Sequence, residues 1–230
     1  MSALPARGAP PDFHHGAAEP AAPHRSIARR SRSPRARTRA LKALLFAAGL
    51  VPLALVAWAA FAGNLGANPI REFQHRTGIW TLRFLALTLA VTPLRRLTGW
   101  NEAIKYRRML GLFAFFYASV HLVNYMIFDW SLDLPEIAKD VAKHKYITVG
   151  MAGFLLLLPL AITSTKGWIR RLGGRRWQQL HRLIYAAAIA GVVHYLWAVK
   201  KDITLPLAYA ALFAVLLGTR AWVARRASGP

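Results

Sequence analysis

The chain has no cysteine in its 230 residues. That excludes disulfides, iron–sulfur clusters held on thiolates and thiol redox centres. Any redox chemistry must run on a bound cofactor, and the eight histidines are the main candidate metal ligands. No G-x-G-x-x-G follows a strand pattern and there is no P-loop, so the chain carries no nicotinamide-binding domain of its own. Acidic residues are few: nine Asp and Glu against 31 Lys and Arg, for a formal charge of +22. In a soluble protein that balance would point to nucleic acid. Here the basic residues sit between long apolar blocks and at the ends, which reads as membrane topology and contact with lipid headgroups, with no nucleic-acid partner.

Hydrophobic residues make up 55% of the sequence. They fall into six blocks of about 20 residues, each long enough to cross the ~30 Å hydrocarbon core as a helix. The blocks cover residues 43–62, 78–94, 109–128, 147–164, 178–199 and 203–223. The expected fold is all-α: a polytopic membrane bundle of six transmembrane helices, filling residues 41–226. Pro52, Pro93 and Pro159 lie within these blocks, where proline kinks a membrane helix but is tolerated. Residues 1–40 are rich in Ala, Pro, Arg and Ser without apolar period, and are expected to form a disordered basic arm. The arm lacks the apolar core and cleavage site of a secretory signal peptide, so the first apolar block is read as a retained anchor.

The loops orient the bundle. With six spans both termini share one side, and from Arg25 onward 22 Lys and Arg fall on that side against seven on the other. The positive-inside rule then places both termini in the cytoplasm. The chain is expected in a bacterial inner (plasma) membrane.

Four histidines are set aside: His14, His15 and His24 lie in the arm, and His144 lies in an outer loop between Lys143 and Lys145. His121 and His194 lie inside the third and fifth blocks, where ionisable residues are costly and suggest function. His121 is about 18 Å up its helix and His194 about 24 Å up, at 1.5 Å per residue. Two neutral imidazoles at matched depth on neighbouring helices can clamp one heme iron from both faces. Zinc is disfavoured, because no third or fourth ligand lies nearby in sequence. His181, near the start of the fifth block, is about 20 Å below His194 and points roughly 140° away from it. A second heme, a quinone or flavin pocket and simple snorkelling all stay open for it. His75, just before the second block, is a further candidate cofactor-binding residue. Arg83 lies inside that block, and either snorkels or pairs with a heme propionate.

Several stretches carry a resemblance: Asn68-Pro69-Ile70, Gln74-His75-Arg76-Thr77-Gly78, Thr92-Pro93-Leu94, Arg107-Arg108-Met109-Leu110-Gly111-Leu112 and the His121 segment. They continue with Tyr146-Ile147-Thr148-Val149-Gly150, Thr163-Ser164-Thr165, and Trp177-Gln178-Gln179-Leu180-His181 through His194-Tyr195-Leu196-Trp197-Ala198-Val199-Lys200. Together they resemble the MsrQ family of heme-binding membrane subunits, within the ferric reductase-like transmembrane superfamily. The resemblance implies electrons taken from the quinone pool or a cytoplasmic flavin reductase and carried through heme b, with FMN as a further family cofactor. It implies delivery to a periplasmic molybdenum-containing methionine sulfoxide reductase subunit that repairs oxidised proteins. The chain would then be a redox subunit without a substrate-reducing domain. By resemblance, His121 and His194 are outer heme ligands and His181 is the inner histidine. The wider superfamily has another histidine roughly four turns before the outer one on the third helix. Arg107 and Arg108 occupy that place here. The competing expectation, from the residues alone, is a small transporter or channel using His121 and His194 for protons or substrate.

Overall fold

A computed structural model describes residues 34–227. Eight helices run in order: α1 (Pro34–Phe61), α2 (Pro69–Thr98), α3 (Arg107–Asn124), α4 (Leu134–Lys143), α5 (Lys145–Ile162), α6 (Lys166–Leu180), α7 (Leu183–Ala198) and α8 (Thr204–Ala227). A 3-10 turn, Asn101–Lys105, precedes α3, and a π turn, Tyr125–Asp129, prolongs it. The expected all-helical bundle is present. α1, α2, α3 with its π turn, α5 and α8 are long and apolar enough to cross a membrane, and α7 is a shorter apolar helix of 16 residues. Large apolar side chains such as Leu55, Trp58, Leu87, Ile189 and Val215 point outward, as a surface facing lipid requires.

Three boundaries differ from the sequence reading. α1 begins at Pro34, so the last residues of the expected arm are helical; residues 1–33 lie outside the described residues. α2 begins at Pro69, nine residues before the expected start. Asn68 caps it by accepting from the Arg71 N–H at 3.0 Å, and proline suits the first helical position, where an N–H is not needed. The fifth span is not continuous from residue 178. Residues 178–180 finish α6, His181 caps it, and α7 starts at Leu183. The angular relation drawn between His181 and His194 along one helix therefore does not hold.

α2 lies centrally, packed on α1, α3, α7 and α8, while α5 packs on α7 and α3. Leu85, Leu89, Ala114, Tyr117 and Ala188 form the most enclosed part of the core. Two proline-bearing helices are repaired by neighbours. In α1 the Tyr117 hydroxyl takes the Leu53 N–H at 3.0 Å and donates to the Gly49 carbonyl at 2.8 Å, so a side chain is inserted into the helical ladder beside Pro52. In α2, Pro93 has no N–H for the Leu89 carbonyl. Arg220 of α8 supplies the missing donors at 2.8 and 3.2 Å, and also reaches Thr92 and Tyr185.

Both ends of the described chain lie at one end of the bundle, called here the tail end; α4 marks the opposite, head end. α2 and α5 descend from head to tail, α3 and α7 ascend.

Candidate functional site

His121 comes up α3 and His194 comes up α7, and they meet near the head end. Their ring centroids are 6.0 Å apart with planes at 88°. The matched depths read from the sequence thus correspond to a pair in space. Each ring is oriented the same way. His121 Nδ1 is 2.9 Å from the Gln74 carbonyl on α2, and His194 Nδ1 is 2.6 Å from the Tyr146 carbonyl on α5. A carbonyl only accepts, so Nδ1 carries the proton in both rings and Nε2 is left with its lone pair. That is the arrangement usual for metal-ligating imidazoles.

Glycines make room for both rings. A Cβ on Gly150 would sit 2.6 Å from His194 Nδ1, and one on Gly78 would sit 3.0 Å from His121 Cε1. The Nε2 of His121 accepts from the Gln74 side-chain amide at 3.2 Å, and the Gln74 oxygen accepts from buried Asn124 at 2.6 Å. A metal at His121 would take the place of that amide. Sequence pattern assigns no site role to Gln74, Asn124, Gly78 or Gly150. A glycine within an apolar helical pattern is the one readable signal, since it usually has a packing reason.

Two imidazoles bound through metal–nitrogen bonds of about 2 Å on opposite faces of one metal would have centroids roughly 6 Å apart. A bare ion needs three or four protein donors. Among the described residues no group of three His, Cys, Asp or Glu is placed to hold one. The pair therefore suits a metal that arrives with its own equatorial donors, as in a porphyrin.

His75 lies one turn of α2 closer to the head end than Gly78, with Nε2 3.3 Å from the Tyr195 hydroxyl. Arg83 lies elsewhere. Its guanidinium is 4.5 Å from the Trp80 ring centroid and donates to Tyr209 of α8 at 3.3 Å, on an exposed face.

The tail end holds a second candidate. A cavity of about 440 Å³ is lined by Arg107, Arg108, Ser164, Trp177, His181 and Arg182 among others. His181 stacks on Trp177 with centroids 3.8 Å apart and its Nδ1 is 3.1 Å from the Trp177 carbonyl. Its Nε2 is buried without a hydrogen-bond partner; the Leu160 carbonyl is near the ring but does not complete one. Burial, opposed by the Trp177 carbonyl and aided by Arg107, holds His181 below the ordinary histidine pKa. A neutral ring with a free lone pair, facing a cavity edged by guanidinium groups, can bind a metal or an anionic, planar ligand.

The family profile described as the ferric reductase like transmembrane component matches residues 77–192. The protein-methionine-sulfoxide reductase heme-binding subunit MsrQ of Xanthomonas euvesicatoria pv. vesicatoria is 52% identical over 189 residues, covering 80% of this chain and 86% of that relative. The MsrQ subunit of Herminiimonas arsenicoxydans is 51% identical over 190 residues, 80% of this chain and 87% of the relative. That of Azospira oryzae is 51% identical over 192 residues, with 83% and 82% covered.

Proposed function

Because the chain belongs to the ferric reductase-like transmembrane family, and within it to the MsrQ heme-binding subunits, we propose that it is the electron-carrying membrane subunit of a protein-methionine-sulfoxide reductase system. The observation that carries this reading is the His121–His194 pair: 6.0 Å between centroids, with both Nδ1 atoms turned to backbone carbonyls. Heme b held there supplies reversible one-electron storage in an apolar setting. The chain's own residues do the rest. Gln74 and Tyr146 fix the ring tautomers, Gly78 and Gly150 leave space, and the apolar helices keep water out.

Electrons enter at the tail end and leave at the head end. The charge asymmetry of the loops supports a cytoplasmic tail end and a periplasmic head end in the inner membrane. The donor is quinol or a cytoplasmic flavin reductase, and the cavity at His181 holds an intermediate carrier, a second heme or FMN. The acceptor is a periplasmic molybdenum-containing subunit that reduces oxidised methionine. The test is heme content per chain in His121→Ala and His194→Ala. Both variants should lose the low-spin heme spectrum. Full heme with unchanged spectra in both would end this reading.

A further inference from the structure

The head end holds two basic groups to which electron transfer gives no task. Arg71 and His75 lie one helical turn apart on α2 and so share a face. They line a cleft of about 300 Å³ with Leu65, Ala67, Asn68 and Glu72. Glu72 is the only carboxylate in that lining, and it is engaged by Arg76 at 2.7 Å. Arg71 forms no ion pair with a described residue. The cleft adjoins the histidine pair. Gln74, the chain neighbour of His75, holds His121 Nδ1 through its carbonyl at 2.9 Å. His75 also bonds to Tyr195, the chain neighbour of His194.

We propose that the Arg71–His75 cleft is a carboxylate-binding site, taking the acidic side arms of the porphyrin bound between His121 and His194. The proposal rests on the heme reading above. A heme b carries two propionates on one edge, and an ionised carboxylate left in an apolar interior is strongly disfavoured. The edge must therefore turn toward water and cations. At the head end the fork of Arg71 fits a carboxylate through two parallel hydrogen bonds, with His75 as a second donor beside it. Arg83, the sequence candidate for this role, is engaged on the α8 side by Trp80 and Tyr209. An acidic side chain on a partner protein offers the same chemistry, so the test must separate the two sources.

The full-length chain is reconstituted with protoheme and, separately, with protoheme dimethyl ester, whose carboxylates are blocked. Affinity is read by Soret titration for wild type, Arg71→Gln, Arg71→Lys and His75→Gln. Arg71→Gln should weaken protoheme binding about tenfold and leave ester binding unchanged. Arg71→Lys should recover part of the loss, and His75→Gln should show a smaller loss confined to protoheme. The protoheme-loaded Arg71→Gln variant should also have a lower reduction potential, because a nearby cation favours the reduced iron. Equal losses for both porphyrins would make Arg71 merely structural and overturn the proposal. Unchanged affinity for both would overturn it as well, leaving the cleft to a partner's carboxylate. A wild-type chain that binds neither porphyrin would instead remove the heme reading, and this one with it.

Discussion

The guanidinium of Arg220 on α8 donates at 2.8 Å to the carbonyl of Leu89 on α2, the acceptor that Pro93 deprives of its helical partner. A residue that counts in the sequence only as one more cation at the tail end thus completes a helix 131 positions away.

Arg220→Leu is expected to destabilise the chain by about 1–3 kcal/mol, the usual penalty for a buried acceptor left unpaired. Pro93→Ala restores an N–H at the right place, so Arg220→Leu should cost less in that background. Thermal unfolding in detergent of the two single variants and the double variant measures the coupling. Additive effects would refute the link.

Gly150→Ala should expel bound heme while the helices remain folded. The added methyl meets His194 Nδ1 at 2.6 Å and must move the ring off the Tyr146 carbonyl. Gly78→Ala, with its contact to His121 at 3.0 Å, should reduce heme content less. Gly49→Ala meets the Phe113 ring at 2.5 Å, far from the pair. It should lower stability by about 1–3 kcal/mol through overpacking without changing the heme spectrum. Circular dichroism beside Soret absorbance separates the cases, and an unaltered spectrum in Gly150→Ala would contradict the site.

His181→Ala should slow heme reduction by a quinol analogue or flavin reductase while the head-end heme stays bound. The ring faces the tail cavity with Nε2 unpartnered and does not touch the His121–His194 pair. Stopped-flow reduction rates are the readout. Unchanged rates, with one heme and no flavin per chain, would make His181 a structural cap between α6 and α7.

Asp140 ties the head-end loop together. It accepts from Tyr125 at 2.6 Å, from Trp130 at 3.2 Å and from His144 at 2.7 Å. Burial works against its charge, but the hydrogen bonds from Tyr125, His144 and Trp130 outweigh it and hold the carboxyl below its ordinary pKa. Its stabilising contribution is therefore present at and above the ordinary carboxylate range and is lost as pH falls through the lowered value. Hydrogen exchange of α4 should quicken in strong acid, and Asp140→Asn should abolish that dependence. Equal acid sensitivity in both proteins would assign it to another group.

The pairing of His121 with His194 was legible because helical rise alone converts sequence position into depth. The extra turns of α2 were missed because residues 69–77 are polar enough to read as loop, although Asn68 before Pro69 is a start signal. α4 lies in a stretch that the sequence presents only as an outer loop between spans; it is capped by Asp133 and packed through Ile137. The break at His181 has no proline or glycine to announce it. It is set by packing: the Trp177 indole donates to the Thr163 carbonyl at 2.9 Å, holding α6 against the end of α5. Gln74, Asn124 and Arg220 could not be found by periodicity, since each acts across helices.

The turn between α6 and α7 also has an electrical consequence. It leaves His181 at the foot of a 16-residue helix whose upper part carries His194. The rise between the two is ~20 Å, roughly two-thirds of a ~30 Å hydrocarbon layer. A charge crossing the whole layer exchanges about 2.3 kcal/mol with the membrane for each 100 mV. With the tail end on the negative side, an electron passing from the cavity to the histidine pair moves down the field. It would gain roughly 1.5 kcal/mol per 100 mV over that stretch. An energised membrane would then draw electrons toward the head end and resist their return, and a bundle so oriented would act as a wire with a built-in bias.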